Sequence, residues 1–447
     1  MSLTSTGRAL VLTCAFLGWL CAGFHLATTQ LIGRTAAQDL LNRTGAIELT
    51  RFDALSKQKA SGSISDSDAT QLAAWQALVG QWFAWYQCAF LFGAATGGLA
   101  FGRLGDKIGR AKAMSASILT YSGMAAVACF ATTPTQLLLA WFLACTGVGG
   151  MWPNGVALLS EAWSGLSRTV VSGLIGTSAN VGIFIITSIA TKKQVVPGDW
   201  QWVLMIGASP FLLGLFSLFF VPESPRWLAA RRAAADASTP PAANWEVFRP
   251  PLLQVTLVGI LLGTIPMIGG WGSANWMIPW ADQAVEGAAT PNPFLKAQVG
   301  QARAFTGIIG SLIGGWVASI VGRRRTYFLI SIVCLVIAQW TFWKVVPTDA
   351  TFLYWVSALG FFSGLYFGWL PLCLPELFPI RVRSTGAGVS FNFGRILTAV
   401  TVFASGLLIE SFSGDYAAIG RVTSLIFALG MVAIALAPDT TQRSLDE

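Results

Sequence analysis

Apolar stretches of spanning length recur along the whole chain, separated by short segments rich in glycine, proline and charge. A stretch of about 20 apolar residues crosses a hydrocarbon core of roughly 30 Å as an α-helix. The pattern predicts twelve such helices, over residues 9–31, 78–102, 113–131, 135–160, 168–190, 201–221, 252–280, 300–321, 326–345, 351–373, 386–409 and 417–437. We therefore expect an all-α membrane protein with twelve transmembrane helices.

Composition supports this fold class. Of the 447 residues, 54% are hydrophobic and 11% are charged, whereas a soluble domain carries about a quarter charged residues. All seven cysteines fall inside predicted spans, so no structural disulfide is expected. The first apolar stretch is longer than the core of a signal peptide, and we expect it to remain as the first span.

Basic residues indicate the orientation of the helices. They cluster in loops that follow even-numbered spans, as in the segment 102–112 after span 2. Short loops rich in lysine and arginine face the cytoplasm, which places both termini inside. Because the net charge of +8 is spread over these loops, a nucleic-acid partner is not expected.

Two longer connections divide the chain. Residues 32–77 are predicted to form a long outside loop, and residues 226–250 a cytoplasmic linker that separates six spans from six. The expected domains are an N-terminal six-helix bundle over 1–225 and a C-terminal six-helix bundle over 251–447. The bundles also repeat in sequence, since GRLGDKIGRAK at 102–112 corresponds to GWVASIVGRRR at 315–325.

Several motifs together resemble the major facilitator superfamily over essentially the full length. They are GRLGDKIGRAK, PESPRWL at 222–228, and PELFPIRVRSTGAG at 375–388 followed by FNFGRI. The last motifs are similar to those of sugar porters and of the metabolite:proton symporters for sialate, aromatic acids and lactate. The resemblance implies two pseudo-symmetric bundles with a binding site between them, in the plasma membrane (the inner membrane of a bacterium).

Charged residues at the inner face form a second group of candidates. The resemblance implies a gating latch, to which we assign Asp106, Lys107, Arg110, Glu161, Arg168, Glu223, Arg226, Glu376 and Arg383. The alternative is that these residues are topology anchors and solvated pairs of little energetic value. In the second repeat Ser319 stands where the aspartate would be, which predicts a weaker latch there.

Ionisable residues inside a span are candidates for function because burying them is costly. Arg395 lies twelve residues beyond Arg383, which is roughly 18 Å along a helix and near the middle of the bilayer. Its planar guanidinium suits a carboxylate, although a structural arginine satisfied by its neighbours is the alternative. Arg303 was expected to reach outward to the membrane surface instead.

The only histidine, His25, stands at a position where the related symporters carry an acid. The other charged positions of those relatives correspond here to Ala22, Trp141 and Met151. His25 is therefore the candidate for coupling to a proton, the alternative being a neutral ring that hydrogen-bonds to a neighbouring helix.

Aromatic and amide side chains inside the spans complete the predicted substrate site, because a buried amide needs a partner that a ligand can supply. With His25 and Arg395, the set comprises Gln81, Trp85, Trp152, Asn154, Asn180, Asn275, Trp276, Tyr366, Trp369 and Asn392. Most of the 19 tryptophans are expected to serve packing or the membrane interface.

These observations predict a secondary active transporter that moves a small organic acid, coupled to a proton. A sugar or polyol carrier, an uncoupled facilitator and a non-transporting sensor remain alternatives. An enzyme is not expected, since the chain contains no HExxH, P-loop or GxSxG motif. We expect a monomer in the lipid bilayer, with no cofactor and no metal site.

Overall fold

The computed structural model describes residues 3–162, 168–225, 227–229, 246–286, 292–378, 383–412 and 414–438. Within these ranges the chain is helical apart from short connections and one isolated β-bridge. The α-helices are α1 (Ser5–Arg43), α2 (Leu49–Ala60), α3 (Asp66–Ile108), α4 (Arg110–Ala128), α5 (Pro134–Ala162), α6 (Arg168–Ala190), α7 (Gln201–Ala208), α8 (Phe211–Phe220), α9 (Leu252–Met267), α10 (Met277–Val285), α11 (Leu295–Val321), α12 (Arg323–Lys344), α13 (Phe352–Glu376), α14 (Arg383–Ser411), α15 (Tyr416–Thr423) and α16 (Ile426–Leu436).

The twelve predicted spans all fall on these helices. The sixth span consists of α7 and α8, the seventh of α9 and α10, and the twelfth of α15 and α16. In the described ranges, ten segments are long and apolar enough to cross a membrane, and Gly176–Ala190 is a shorter apolar helix. The prediction of an all-α, multi-pass membrane protein is confirmed.

The segment 32–77, predicted as a loop, is mostly helical. Helix α1 continues to Arg43, α2 occupies Leu49–Ala60, and α3 begins at Asp66. Ser65 caps α3 by accepting a hydrogen bond from the backbone of Asp68, at a helix end that favours acidic residues. Phe52 is fully buried and stacks at 6.4 Å on Trp75, so α2 packs on the start of α3. Polar composition concealed this amphipathic helix.

The buried apolar side chains fall mainly in two clusters. One runs from Val11 to Val221 with three additions from the second half, and the other from Val247 to Ala437. The bundles meet along two seams, where α3 packs on α14 and α6 packs on α11. The second cluster begins within the predicted linker 226–250, at Val247, and residues 226 and 230–245 lie outside the described part.

The two sequence repeats form the same turn. Gly109 between α3 and α4 has a φ of 111°, and Gly322 between α11 and α12 has a φ of 100°. Only glycine adopts this backbone conformation without strain. The helices of each half therefore reverse direction at equivalent points, as expected from the repeated Gly-Arg pair.

The seventh span is interrupted between α9 and α10. Pro266 lies at the end of α9, and a π-helical segment with three glycines, Ile268–Ser273, follows it. Proline removes a helical hydrogen bond, and glycine is a poor helix former. A short 3₁₀ turn, Ala274–Trp276, then leads into α10 and places Asn275 at the cavity described below.

Candidate functional site

Helix α1 presents one face to the interior of its own bundle, and His25 lies on that face. The ring is fully buried, and its Nε2 lies 3.1 Å from the carbonyl oxygen of Gly207 on α7. The ring centroids of Tyr121 and Trp141 are 4.9 and 5.7 Å away. All these contacts belong to the N-terminal half, so the structure places His25 behind the cavity between the halves.

The opposite face of α1 borders a cavity of about 70 Å³ between the two halves. This inter-bundle cavity is also bordered by α6 of the N-terminal half and by the seventh span and α11 of the C-terminal half. Its lining comprises Leu26, Ala27, Gln30, Leu31, Asn180, Ile183, Thr187, Asn275, Ile278, Gly300, Arg303 and Ala304. Apolar walls with a few convergent polar groups are typical of a small-molecule site.

Arg303 supplies the positive charge of this cavity. Its Nη1 donates a hydrogen bond to Oδ1 of Asn275. In the described part of the chain, no carboxylate lies within ion-pair distance of its guanidinium. The expectation that Arg303 reaches outward was wrong. The prediction rested on the depth of Arg303 along the helix alone, whereas the rotation of α11 turns its side chain toward the other half.

Gln30 was not predicted from the sequence as a site residue. It is 6% exposed, and both its amide nitrogen and its amide oxygen are buried with no hydrogen-bond partner among the described residues. Leaving such groups unpaired costs about 1–3 kcal/mol each. A ligand that offers both a donor and an acceptor would recover that free energy.

The predicted cation Arg395 lies at the other seam. Its Nη1 is 3.5 Å from the carbonyl oxygen of Ala94 on α3 and 3.5 Å from Oδ1 of Asn392. Its guanidinium lies 4.9 Å from the ring centroid of Phe391. Asn392 donates a hydrogen bond to the carbonyl oxygen of Gly388. Backbone and ring contacts thus surround Arg395, and no carboxylate pairs with it in the described ranges.

The remaining predicted residues in the N-terminal half do not converge. Asn154 donates hydrogen bonds to the backbone of Phe101 and Gly150, within its own bundle. Trp152 packs at 5.1 Å on Trp19. Trp85 packs at 4.6 Å on Trp82, and Gln81 is half-buried on the same helix.

In the C-terminal half, two predicted aromatic residues serve packing. Tyr366 shares a hydrogen bond of 2.6 Å with Ser331, and the indole of Trp369 donates to the backbone of Arg323. Trp276 is fully buried between Phe83 of α3 and Tyr416 of α15, with both ring centroids at 5.7 Å. Of the predicted substrate set, the inter-bundle cavity brings together only Asn180 and Asn275.

A buried network of charges joins the halves at the end of the molecule that carries α2, called here the outer end. Arg34 makes two hydrogen bonds to Glu286, of 2.6 and 2.8 Å, and is 2% exposed. Gln38 donates to the same carboxylate at 2.9 Å. Lys296 bonds to Thr35 of α1 at 2.7 Å and to Asp282 at 3.1 Å. We call these six residues the outer junction.

Sequence reasoning missed the outer junction, although a signal was present. Gln30, Arg34 and Gln38 recur every four residues on α1, and Asp282 and Glu286 are four residues apart at the end of the seventh span. Side chains at this spacing share one helix face.

At the inner end, the predicted latch residues bond within one half. Asp106 pairs with Arg110, and Glu223 accepts hydrogen bonds from the backbone of Arg110 and Ala111, capping α4. The indole of Trp227 donates to the carbonyl of Asp106. Lys107 is exposed. Glu223 therefore supports the start of α4.

The C-terminal half repeats this arrangement with different partners. Glu376 pairs with Arg323 at 3.2 Å, and Ser319 accepts a hydrogen bond from the same arginine. Glu161 bonds to Ser224. Three residues of the predicted latch, Arg226 and the side chains of Arg168 and Arg383, lie outside the described residues. No ion pair links the two halves at the inner end in the ranges that the structure describes.

Comparison with known proteins is consistent with this architecture. The model of a family described as the Major Facilitator Superfamily matches residues 69–401. The probable 4-methylmuconolactone transporter of Cupriavidus pinatubonensis is 27% identical, over 77% of this chain and 79% of its own. The cis,cis-muconate transport protein of Acinetobacter baylyi is 26% identical, over 71% and 76% of the two chains.

A solved structure shares the fold. The xylose transporter of E. coli in a partially occluded inward open conformation superimposes with a TM-score of 0.68. The match covers 99% of this chain and 100% of that one at 14% sequence identity.

Proposed function

The chain belongs to the major facilitator superfamily, and we propose that it moves a small carboxylate across the membrane by alternating access. The observation that carries this proposal is Arg303, a cation in the inter-bundle cavity with no carboxylate partner among the described residues. An arginine does not lose its charge by deprotonation in proteins. A half-buried arginine in a cavity, with no acidic neighbour among the described residues, therefore favours an anionic ligand.

The relatives support a carboxylate as the substrate class. One of them is named for the transport of cis,cis-muconate, a dicarboxylate. The other cation between the halves, Arg395, contacts a backbone carbonyl, Asn392 and the ring of Phe391. We therefore assign the binding role to Arg303 and a structural role to Arg395.

The outer junction supports alternating access. It links α1 of one half to α10 and α11 of the other, whereas the described inner-end ion pairs stay within each half. Rocking the bundles as rigid bodies would break the outer junction and open the cavity toward the outer end. In this proposal the protein acts as a monomer, and both termini face the cytoplasm.

We propose that a proton accompanies the substrate, and its carrier needs surroundings that differ between the two conformations. The described contacts of His25 all lie within one bundle and would survive a rigid-body movement. Glu286 and Asp282 face Arg34 of the N-terminal half and Lys296 and Tyr416 of their own half. A rigid-body movement would separate the two carboxylates from Arg34 and so change their surroundings. We therefore favour these carboxylates over His25 as proton carriers.

A sugar carrier is the second candidate, because Gln30, Asn180 and Asn275 give the cavity three amides that suit hydroxyl groups. Relatives include a glucose transporter of Staphylococcus epidermidis. The charge of Arg303 argues for the carboxylate, since a neutral sugar would leave it uncompensated.

Uptake by purified protein in lipid vesicles tests the proposal. Labelled cis,cis-muconate, lactate, benzoate and xylose are compared with and without an inward proton gradient, with empty vesicles as the control. We expect saturable uptake of at least one carboxylate, faster with the gradient. Accumulation of xylose without uptake of any carboxylate would contradict the proposal and support the sugar carrier.

A further inference from the structure

Arg303 is held in one orientation within the inter-bundle cavity. Asn275, fixed by the 3₁₀ turn after the interrupted span, accepts one of its hydrogen bonds. A guanidinium has five N–H donors arranged in a rigid plane. The bond to Asn275 uses one edge of that plane, and no carboxylate occupies the others in the described part of the chain. The group is thus oriented in advance to bind an anion.

Gln30 borders the same cavity from the opposite half. Its amide offers two donors and an acceptor, and none of its polar atoms has a partner among the described residues. A simple carboxylate bound to Arg303 would present only acceptor oxygens. A hydroxyl beside the carboxylate would offer Gln30 both a donor and an acceptor, and a carbonyl oxygen there would accept from its amide nitrogen.

The remaining walls restrict what the ligand can carry. Leu26, Ile183 and Ile278 contribute apolar surface, and the described residues that line the cavity include no aspartate or glutamate. An ammonium group placed there would be a buried cation beside Arg303 without a compensating charge. The walls therefore favour a hydroxy or oxo acid over an amino acid.

The surroundings of Arg395 differ from those of Arg303. Its guanidinium contacts a backbone carbonyl, Asn392 and the ring of Phe391, and it does not border the inter-bundle cavity. These contacts stabilise the seam between α3 and α14. Both arginines lie between the halves, and Arg303 is the one that lines the inter-bundle cavity.

We propose that Arg303 and Gln30 form the head-group subsite, in which Arg303 binds a carboxylate and Gln30 binds a neighbouring hydroxyl or carbonyl oxygen. This assignment rests on the proposed function and adds to it the anchoring residue and the chemical class of the substrate. The cavity of about 70 Å³ limits this subsite to the head of the molecule.

Binding to the purified full-length protein in detergent, measured by ligand titration and by the shift in Tm, tests the subsite. The probes are cis,cis-muconate and a matched set that differs at one carbon: lactate, propionate and alanine, with xylose as the neutral probe. The variants are Arg303→Gln, Arg303→Lys and Gln30→Leu, and Arg395→Gln is the matched control. The Tm without ligand and the helical circular dichroism check that each variant is folded.

In the wild type we expect lactate to bind more tightly than propionate, and alanine to bind weakest. Arg303→Gln should weaken lactate and muconate by about 100-fold, and Arg303→Lys should recover part of this loss. Gln30→Leu should weaken lactate by about tenfold while changing propionate little. Arg395→Gln should stay within about threefold of the wild type for every probe.

Two results would overturn the subsite and are distinguishable. If lactate or muconate binds Arg303→Gln as well as the wild type but is lost in Arg395→Gln, the subsite is wrong and carboxylate transport stands. If xylose stabilises the wild type and no carboxylate does, the proposed function fails together with the subsite. Equal binding of lactate and alanine by a folded wild type would contradict the role given to the walls.

Discussion

The two faces of helix α1 have opposite surroundings. His25 points into its own bundle, where an aromatic pair and a backbone carbonyl enclose it. Gln30 borders the inter-bundle cavity, and Arg34 reaches the outer junction. A shift of five residues turns a helix by about 140°, so His25 and Gln30 face nearly opposite sides. The helix face on which a residue lies therefore indicates its function better than its depth along the span.

Side chains on the two faces of α1 also differ in whether their neighbours change when the bundles move. A rigid bundle carries His25 and its described contacts together, whereas the outer junction exists only while the halves meet. Substitutions on the two faces should accordingly differ in kind. Those toward the other half should alter conformation or binding, and those toward the bundle interior should alter stability.

Arg34→Gln should have the largest effect on conformation. It leaves Glu286 without its bidentate partner, and breaking a buried pair in this way costs about 3–5 kcal/mol. We expect the halves to separate at the outer end, shown by a longer distance between spin labels at Lys59 and Thr348. Arg43→Gln is the control, because Arg43 pairs with Asp39 on the same helix. An unchanged distance in Arg34→Gln would show that the outer junction does not hold the halves together.

Gln38→Leu should also lengthen the distance between the two spin labels, but by less than Arg34→Gln. It removes one hydrogen bond of 2.9 Å to Glu286 and leaves the ion pair with Arg34 intact. A hydrogen bond to a charged group contributes about 1.5–3 kcal/mol, so the label distance should shift only in part. A shift as large as that of Arg34→Gln would mean that the charge pair is not the main contact.

His25→Gln should have the smallest effect on transport. We expect lower thermal stability, by about 1–3 kcal/mol, because the ring fills a closed site beside Gly207 and Tyr121. Uptake and its acceleration by an inward proton gradient should stay within about twofold of the wild type.

Glu286→Gln, measured in the same vesicles, should lose gradient-driven accumulation while retaining exchange. If the gradient effect is lost only in His25→Gln, His25 and not Glu286 is the proton carrier.

The sequence predicted the fold because membrane spans are marked by length and apolarity. The repeat of the two motifs also marks the equivalent turns, at Gly109 and Gly322, where φ is positive. The amphipathic helix α2 was missed because its few apolar residues lie in a polar segment. Its burial depends on Trp75 of the next helix.

The site was predicted only in part, for a geometric reason. Asn180 and Asn275 were found because amides in a span are unusual, and they do border the cavity. Arg303 was placed by depth alone, and its rotation toward the other half depends on how α11 packs on α6 and α13. Gln30 becomes notable only when its lack of a partner is known.

The most direct test of the central claim is a structure of the protein in a lipid bilayer with a bound hydroxy or oxo acid that it transports. The account predicts the carboxylate within hydrogen-bonding distance of Arg303, with the neighbouring oxygen bonded to Gln30. A carboxylate bound instead to Arg395, with Arg303 still paired only to Asn275, would contradict it.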